Sequence, residues 1–278
     1  MRMAKIFTLL LAVVLLLSLA GSVLAAPPED NPGKGPPDLE KVVLIHRAED
    51  FPAGNPHGTP PGQDKNKPGG GKKEDGKLWY KYSGLQWGSM PVGYHVTNAD
   101  SLPGGFLDAI WDSFAVWDLA SEPYTVNYIG STNVLPDTVV WDGELGDYVP
   151  DLVNVVGWKD LGASDAIAVT YIWYNVYTKE LVDVDTALNS NSVYHWWQNS
   201  VTGDPDKASW TEGQSSAYDV DVQNIMTHEA GHWLVLDDLY QKPAGQQTMY
   251  GISAELELKK QSLENGDEAG IQEIYPNP

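Results

Sequence analysis

Residues 221–238 decide the reading of this chain: Asp221-Val222-Gln223-Asn224-Ile225-Met226-Thr227-His228-Glu229-Ala230-Gly231-His232-Trp233-Leu234-Val235-Leu236-Asp237-Asp238. Val222, Ile225 and Met226, then Glu229 to Leu236, recur at helical spacing. Asp221 suits the N-cap, and no proline interrupts the run from Asp221 to Leu236. A helix therefore carries His228 and His232 four positions apart on one face, where two imidazole nitrogens can share one ion. The Glu229 carboxylate beside them can hold a water. Catalytic zinc takes three protein ligands and leaves one position for water, so this pair needs a third. The chain has no cysteine, and the third ligand is therefore a carboxylate or a histidine. On a straight helix Asp238 would lie about 9 Å further along the axis than His232. It can join the pair only if the chain turns sharply after the helix.

Outward from this core the pattern becomes specific. His228 to Asp238 resembles the extended metzincin signature H-E-x-x-H-x-x-G-x-x-H/D. Met249, in Gln247-Thr248-Met249-Tyr250-Gly251, stands where that group has its methionine turn. Within the group the chain is most similar to the matrixin-like peptidases. Ser262-Leu263-Glu264-Asn265-Gly266-Asp267-Glu268-Ala269-Gly270-Ile271-Gln272-Glu273-Ile274-Tyr275 resembles their closing helix. The resemblance implies an α+β, metzincin-like catalytic domain. Its twisted, mainly antiparallel or mixed sheet lies over two helices, with a small C-terminal subdomain ending in a helix and a cleft between the two parts. It also implies one catalytic Zn2+ on His228, His232 and Asp238, with Glu229 as the general base that takes a proton from water and returns it to the leaving amine. The substrate is then a peptide or protein. Tyr250 is either a wall of the metal pocket or a packed aromatic.

Two departures bear on that expectation. Val235 stands at the signature's glycine, and a β-branched residue suits the left-handed backbone of a tight turn poorly. Asp238 stands where many relatives have histidine, and Asp237 beside it is an alternative ligand. A gluzincin-type site with Glu255 or Glu257 as third ligand is a narrower reading. A non-catalytic extracellular binding protein on the same scaffold is the other function class, and retention of Glu229 argues against it.

Residues 1–25 have Arg2 and Lys5, an apolar run from Ile6 to Ala20 and a small-residue Val23-Leu24-Ala25 site, the layout of a cleaved signal peptide. The expected location is extracellular, with no membrane association once the leader is removed. The formal charge is −21, and removal of the leader leaves 15 basic against 38 acidic residues, or −23. Such a surface repels nucleic acid and favours solubility or cationic peptides. Ca2+ could offset part of the repulsion, with Asp183, Asp185, Asp219 and Asp221 as candidates. No EF-hand spacing supports it, and solvated surface acids are the plainer reading. Without cysteine, neither disulfides nor the cysteine-based latency of many matrixins is open to the chain.

Residues 26–77 form a separate region, a propeptide, an arm packed on the domain, or a linker. Nineteen of the 51 residues 27–77 are proline or glycine, a low-complexity composition. Within it only Lys41-Val42-Val43-Leu44-Ile45-His46-Arg47 can order, as a short strand, and His46 could occupy an open zinc position in a latent form or be an ordinary strand histidine. Residues 78–278 have the composition of a globular domain. Strands are expected at Val92–Val96, Tyr124–Tyr128, Val153–Trp158, Ile167–Tyr174 and Leu181–Leu188. Phe106, Ile110, Phe114 and Trp117 give one apolar helix face. The aromatics between Trp158 and Trp210 read as core, in place of scarce phenylalanine, or as a stacking surface for extended polymer. His95 and His195 lack ligand spacing.

Overall fold

Apolar alternation and helical periodicity resolve into seven principal strands and three α-helices among the residues that the structure, a computed structural model, describes: 38–51, 73–74, 77–198 and 217–278. The expected leader, most of segment 26–77 and Trp210 lie outside them. All described residues belong to one unit, Pro36–Pro278. The strands are β1 (Leu39–Ala48), β2 (Val92–Thr97), β3 (Val126–Thr132), β4 (Val155–Lys159), β5 (Ala166–Asn175), β6 (Glu180–Asn189) and β7 (Ile252–Ser253). They lie in the order β7-β1-β5-β6-β4-β2-β3, with Gln86–Trp87 added beside the start of β6.

The helices are α1 (Phe106–Ala120), α2 (Val222–Trp233) and α3 (Asn265–Ile274). The result is a mixed α/β arrangement, compatible with the α+β class. Of the two sheet types expected, mainly antiparallel or mixed, the sheet is mixed. Only β5 runs against its neighbours β1 and β6, and the pairings β6–β4, β4–β2 and β2–β3 are parallel. The cause lies in the connections: α1 carries the chain back across the sheet between β2 and β3, which makes those strands parallel, whereas the short turn 176–179 makes β5 and β6 a hairpin.

Helix α1 buries Phe106, Ala109, Ile110, Ser113, Phe114 and Trp117, the stripe expected of a 3.6-residue period. That stripe meets α2, where Trp117 Nε1 donates to Thr227 O at 2.9 Å. Trp233, at the end of α2, packs edge-on to Tyr94 and Phe114 and donates to Thr186 Oγ1 on β6 at 3.0 Å. One large aromatic cluster thus joins sheet and helices. The strand expected at Lys41–Arg47 is β1, hydrogen-bonded along β5 from Leu39↔Asn175 to Arg47↔Ala166. Of the three roles open to segment 26–77, an arm packed on the domain describes these ten residues.

Buried acids on β6 make a test of the fold. Burial, reinforced by Asp151 beside Asp183 and by Asp183 beside Asp185, pushes both carboxyls up into the neutral range. Backbone amides of Asp137 and Val155 donate to Asp185 and hold it in place. In the unfolded chain both acids return to roughly 3.9. The folded state therefore binds more protons than the unfolded one between about pH 4 and about pH 8, so this pair's contribution to stability falls as pH rises through that window. Thermal midpoints of the wild type and of Asp183→Asn/Asp185→Asn should show this. The decline from pH 5 to pH 8 is expected to be shallower in the double variant, and equal slopes would refute the assignment.

Candidate metal centre

Asp221 caps α2 as its sequence position suggests, its Oδ1 accepting from Asn224 N at 2.7 Å. The helix stops at Trp233, three residues before the apolar periodicity ends. Leu236 N donates to Gly231 O at 3.2 Å and Val235 N to His232 O at 2.9 Å, the paired bonds of a Schellman cap. The residue in the left-handed position of that cap is Val235, at φ +60°. For an L side chain this costs about 1–2 kcal/mol. The Val235 side chain is almost wholly buried, and burial of a valine contributes about 1.5–3 kcal/mol, which offsets the strain. The turn therefore keeps its shape without glycine. Residues 81–83 clamp it from outside: Asp237 N donates to Lys81 O at 2.7 Å, Lys81 Nζ pairs with Asp237 at 2.8 Å, and Ser83 N donates to Val235 O at 3.2 Å.

The reversal brings Asp238 back beneath the helix. His228, His232 and Asp238 each offer one ligand atom within 4.8 Å of the others, and all three residues are buried. Asp238 Oδ1 lies 3.1 Å from His228 Nε2 and 3.5 Å from His232 Nε2. None of these three buried atoms has a hydrogen-bond partner of acceptable direction. Elsewhere in the same residues the partners are complete. His228 Nδ1 lies 2.7 Å from Thr248 O and His232 Nδ1 lies 2.7 Å from Leu236 O. A carbonyl can only accept, so each Nδ1 carries a proton and each Nε2 faces Asp238, where the neutral ring would present its lone pair to a cation. Tyr240 OH donates to Asp238 Oδ2 at 2.9 Å and turns the other carboxylate oxygen to the imidazoles. Three converging donor atoms, each oriented from behind and unsatisfied in front, fit a divalent cation with nitrogen and oxygen preferences such as zinc.

The electrostatics point the same way. Burial lowers the His228 pKa to about 4, which keeps that ring neutral. Burial also opposes charge on His232, but Asp238 and Glu229 outweigh it and push that pKa up to about 9, while Asp238 is held far below the usual carboxylate range. The cavity demands positive charge.

Glu229 is fully buried, and burial raises its pKa to about 7 against the opposing pull of His232 and a 2.6 Å hydrogen bond from Thr170. That puts the carboxyl near the range of an efficient general base.

Met249 lies wholly buried beneath α2 at Gly231. Asp267 of α3 holds this floor, its carboxylate accepting from Thr248 N at 2.8 Å and Met249 N at 3.1 Å. Gly251 leaves room for the aspartate: a Cβ there would sit 2.7 Å from Asp238 Oδ1.

The remaining candidates lie elsewhere. Asp237 pairs with Lys81, and Glu257 with Lys259 and Lys260, while Glu255 accepts from Asp219 N; none joins the histidine pair. Tyr250 is half-buried, with Lys259 Nζ 6.0 Å from its ring centre. Asp183 and Asp185 stand on β6, Asp219 pairs with His195 at 2.6 Å and Asp221 caps α2. These four acids form no common site among the described residues. Thr170, Tyr240, Asp267, Ser253 and Lys260, which complete the site, carry no motif spacing; Asp267 falls in the segment that carries the family resemblance, and Thr170 in an expected strand without any mark of its own. His46 lies inside the site, with Nδ1 3.2 Å from Glu229 Oε1.

The chain matches no protein-family model and no curated protein.

The packing at Gly231 gives a sharp expectation. A Cβ there would fall 2.2 Å from Met249 Sδ and 2.8 Å from Trp117 Cζ2, both fully buried. Alanine gains about 1 kcal/mol of helix propensity over glycine, but overpacking this contact costs about 1–3 kcal/mol or more. Gly231→Ala is expected to lower the unfolding free energy in urea titration, and a stabilised variant would contradict the packing described.

Proposed function

We propose that the chain is a secreted, zinc-dependent endopeptidase of the metzincin, matrixin-like type. The observation that carries the reading is the set of three buried, unpartnered ligand atoms on His228, His232 and Asp238, converging beside the Glu229 carboxyl. The expected extended signature supports it, as does Met249 beneath the helix. The mixed sheet over α1 and α2, with α3 closing the chain, suits such a domain.

His228 Nε2, His232 Nε2 and Asp238 Oδ1 would hold the ion. When bound, zinc supplies a Lewis acid and acidifies a water towards a pKa of ~7. Glu229 would accept a proton from the attacking water and later deliver it to the leaving amine, so one carboxylate would serve both steps. Thr170 fixes the carboxylate's rotation by its bond to Oε2 and turns Oε1 towards the His46 ring. Tyr240 steadies the ligand carboxylate in the same manner. Asp238 in place of a third histidine lowers the net positive charge of the loaded site. The leader-like residues 1–25 support an extracellular location, and the acidic surface supports a peptide or protein partner over nucleic acid. A binding-only scaffold has no use for a buried glutamate held at this angle.

Two measurements test the reading. Elemental analysis of the purified chain should find one zinc per chain in the wild type and in Glu229→Ala, and far less in Asp238→Ala. Casein hydrolysis, assayed on chain left intact and on chain cut between residues 52 and 72, should be chelator-sensitive in the wild type. It should fall roughly 10²–10⁴-fold in Glu229→Ala, the usual worth of a general base. Absence of zinc from the wild type, or cleavage undiminished in Glu229→Ala, would sink the proposal.

A further inference from the structure

His46 comes from the far end of the sequence, yet its imidazole fills the space in front of the general base. The ring is fully buried. Its Nδ1 lies 3.2 Å from Glu229 Oε1, and its centre lies 3.9 Å from that of the His228 ring. Lys260 Nζ donates to His46 Nε2 at 3.1 Å, and Ser253 Oγ lies 2.9 Å from the same nitrogen. Nδ1 therefore carries the proton and donates to Glu229. With Thr170 on Oε2, both carboxylate oxygens already have side-chain partners. A reacting water must come within about 2.6–3.2 Å of the base, and the imidazole stands there.

The strand that delivers His46 lies near the edge of the sheet and is shallowly buried along most of its length. None of residues 39–45 is fully buried, and only His46, Arg47 and Ala48, where the strand reaches the site, are. The neighbouring β5 is buried without a break from Ile167 to Thr170 and alternates partly buried with buried residues from Tyr171 to Asn175. Among the described residues the strand pairing on the outer side of β1 is confined to Arg47 and Ala48, which lie beside Ile252 and Ser253. Without β1 the row of backbone donors and acceptors on β5, from Ala166 to Asn175, would be a sheet edge running past Thr170 and the candidate base, the kind of edge that takes an extended peptide by strand addition.

A local lock holds the end nearest the site. Arg47 Nη1 donates to both oxygens of buried Asp165 at 2.8 and 2.9 Å, and the strand's register slips by one residue between His46 and Arg47. A slip of this kind re-aims side chains beside a site.

We infer that residues 39–48 are a self-held peptide occupying the substrate edge of β5, with His46 as the plug on Glu229, so that the chain is latent until this strand leaves. The inference rests on the peptidase reading for its consequence, but the occupancy of the edge can be measured without hydrolysis.

The test uses the full chain in its Glu229→Gln form, whose side-chain amide oxygen can still accept from His46 Nδ1, with a site for a sequence-specific protease placed between residues 58 and 71. A fluorescent peptide of residues 38–50 is added before and after the cut, and its anisotropy is followed. The cut chain is expected to stay folded by circular dichroism and to exchange its own strand for the labelled one. The uncut chain, whose strand is tethered, is expected to take up little. A labelled peptide carrying His46→Ala should bind roughly tenfold more weakly, as loss of a buried, hydrogen-bonded ring predicts. With Glu229 intact, cutting should release casein hydrolysis that added wild-type peptide suppresses.

Unfolding on cutting, absence of exchange, or exchange indifferent to His46 would each overturn the inference. So would hydrolysis of equal rate in cut and uncut chain. Exchange that depends on His46 with no hydrolysis in any form would leave the occupied edge standing and remove the peptidase reading alone.

Discussion

The reversal of the chain between Trp233 and Asp238 is the constraint on which the site depends. Two imidazoles four residues apart come with any helix, but Asp238 joins them as a candidate third ligand only because the backbone folds back within five residues. The local sequence resists that reversal, since it places a valine in left-handed backbone. The resistance is overcome from elsewhere: Val235 is buried, and Lys81 and Ser83, about 150 positions earlier, take the hydrogen-bonding groups that the turn leaves free. Local conformational cost is thus met by tertiary packing, and a strained residue persists because its surroundings over-determine it.

A second regularity is the concentration of ionisable groups in the least hydrated part of the molecule. His46, His228, Glu229, His232, Lys260 and Asp267 are all essentially without solvent exposure. Burial drives Glu229 and Asp267 up to about 7 and about 6 and Lys260 down to about 8, each against the pull of partners. Desolvation on this scale is unfavourable unless the charges are matched. Most are: Lys260 meets Glu257, Ser253 and Ile252 O, and Asp267 meets backbone amides. Within this group the exception is the front of the His228, His232 and Asp238 set; single buried atoms such as Asp183 Oδ2 and Tyr124 OH also lack a partner, but here three of them converge on the place a cation would take. Polar groups left unsatisfied at one point within an otherwise satisfied network mark a place where something else completes the set.

Much of this was legible in the sequence, for reasons that differ by element. The cap at Asp221, the two histidines and the glutamate follow from periodicity alone, and the strands at 92–97, 155–159, 166–175 and 180–189 from alternation and apolar runs. Asp238 was legible as a position, while the means of reaching it was not, because a Schellman cap is normally announced by glycine. The parallel character of most of the sheet was not legible either, since alternation says nothing about strand direction. Tyr240, Thr170 and Lys260 could not be found by spacing: each is a single polar residue on its own segment, brought in by topology. His46 was visible only as a histidine on a short apolar run, and its place beside Glu229 depends on a pairing across some 120 residues that no local pattern encodes.

Asp267 joins two things usually considered apart. Its carboxylate closes the first turn of α3 through Glu264 N and also fixes the amides of Thr248 and Met249, the peptide links that carry the carbonyl behind His228 and the sulfur beneath Gly231. Whatever frays the final helix slackens the ring at the opposite end of that chain of bonds. By reciprocity, an ion gripping the ring would steady the helix. Coupled in this way, the closing helix and the candidate pocket would melt together, and that helix would be a remote handle on the affinity of the pocket for a cation.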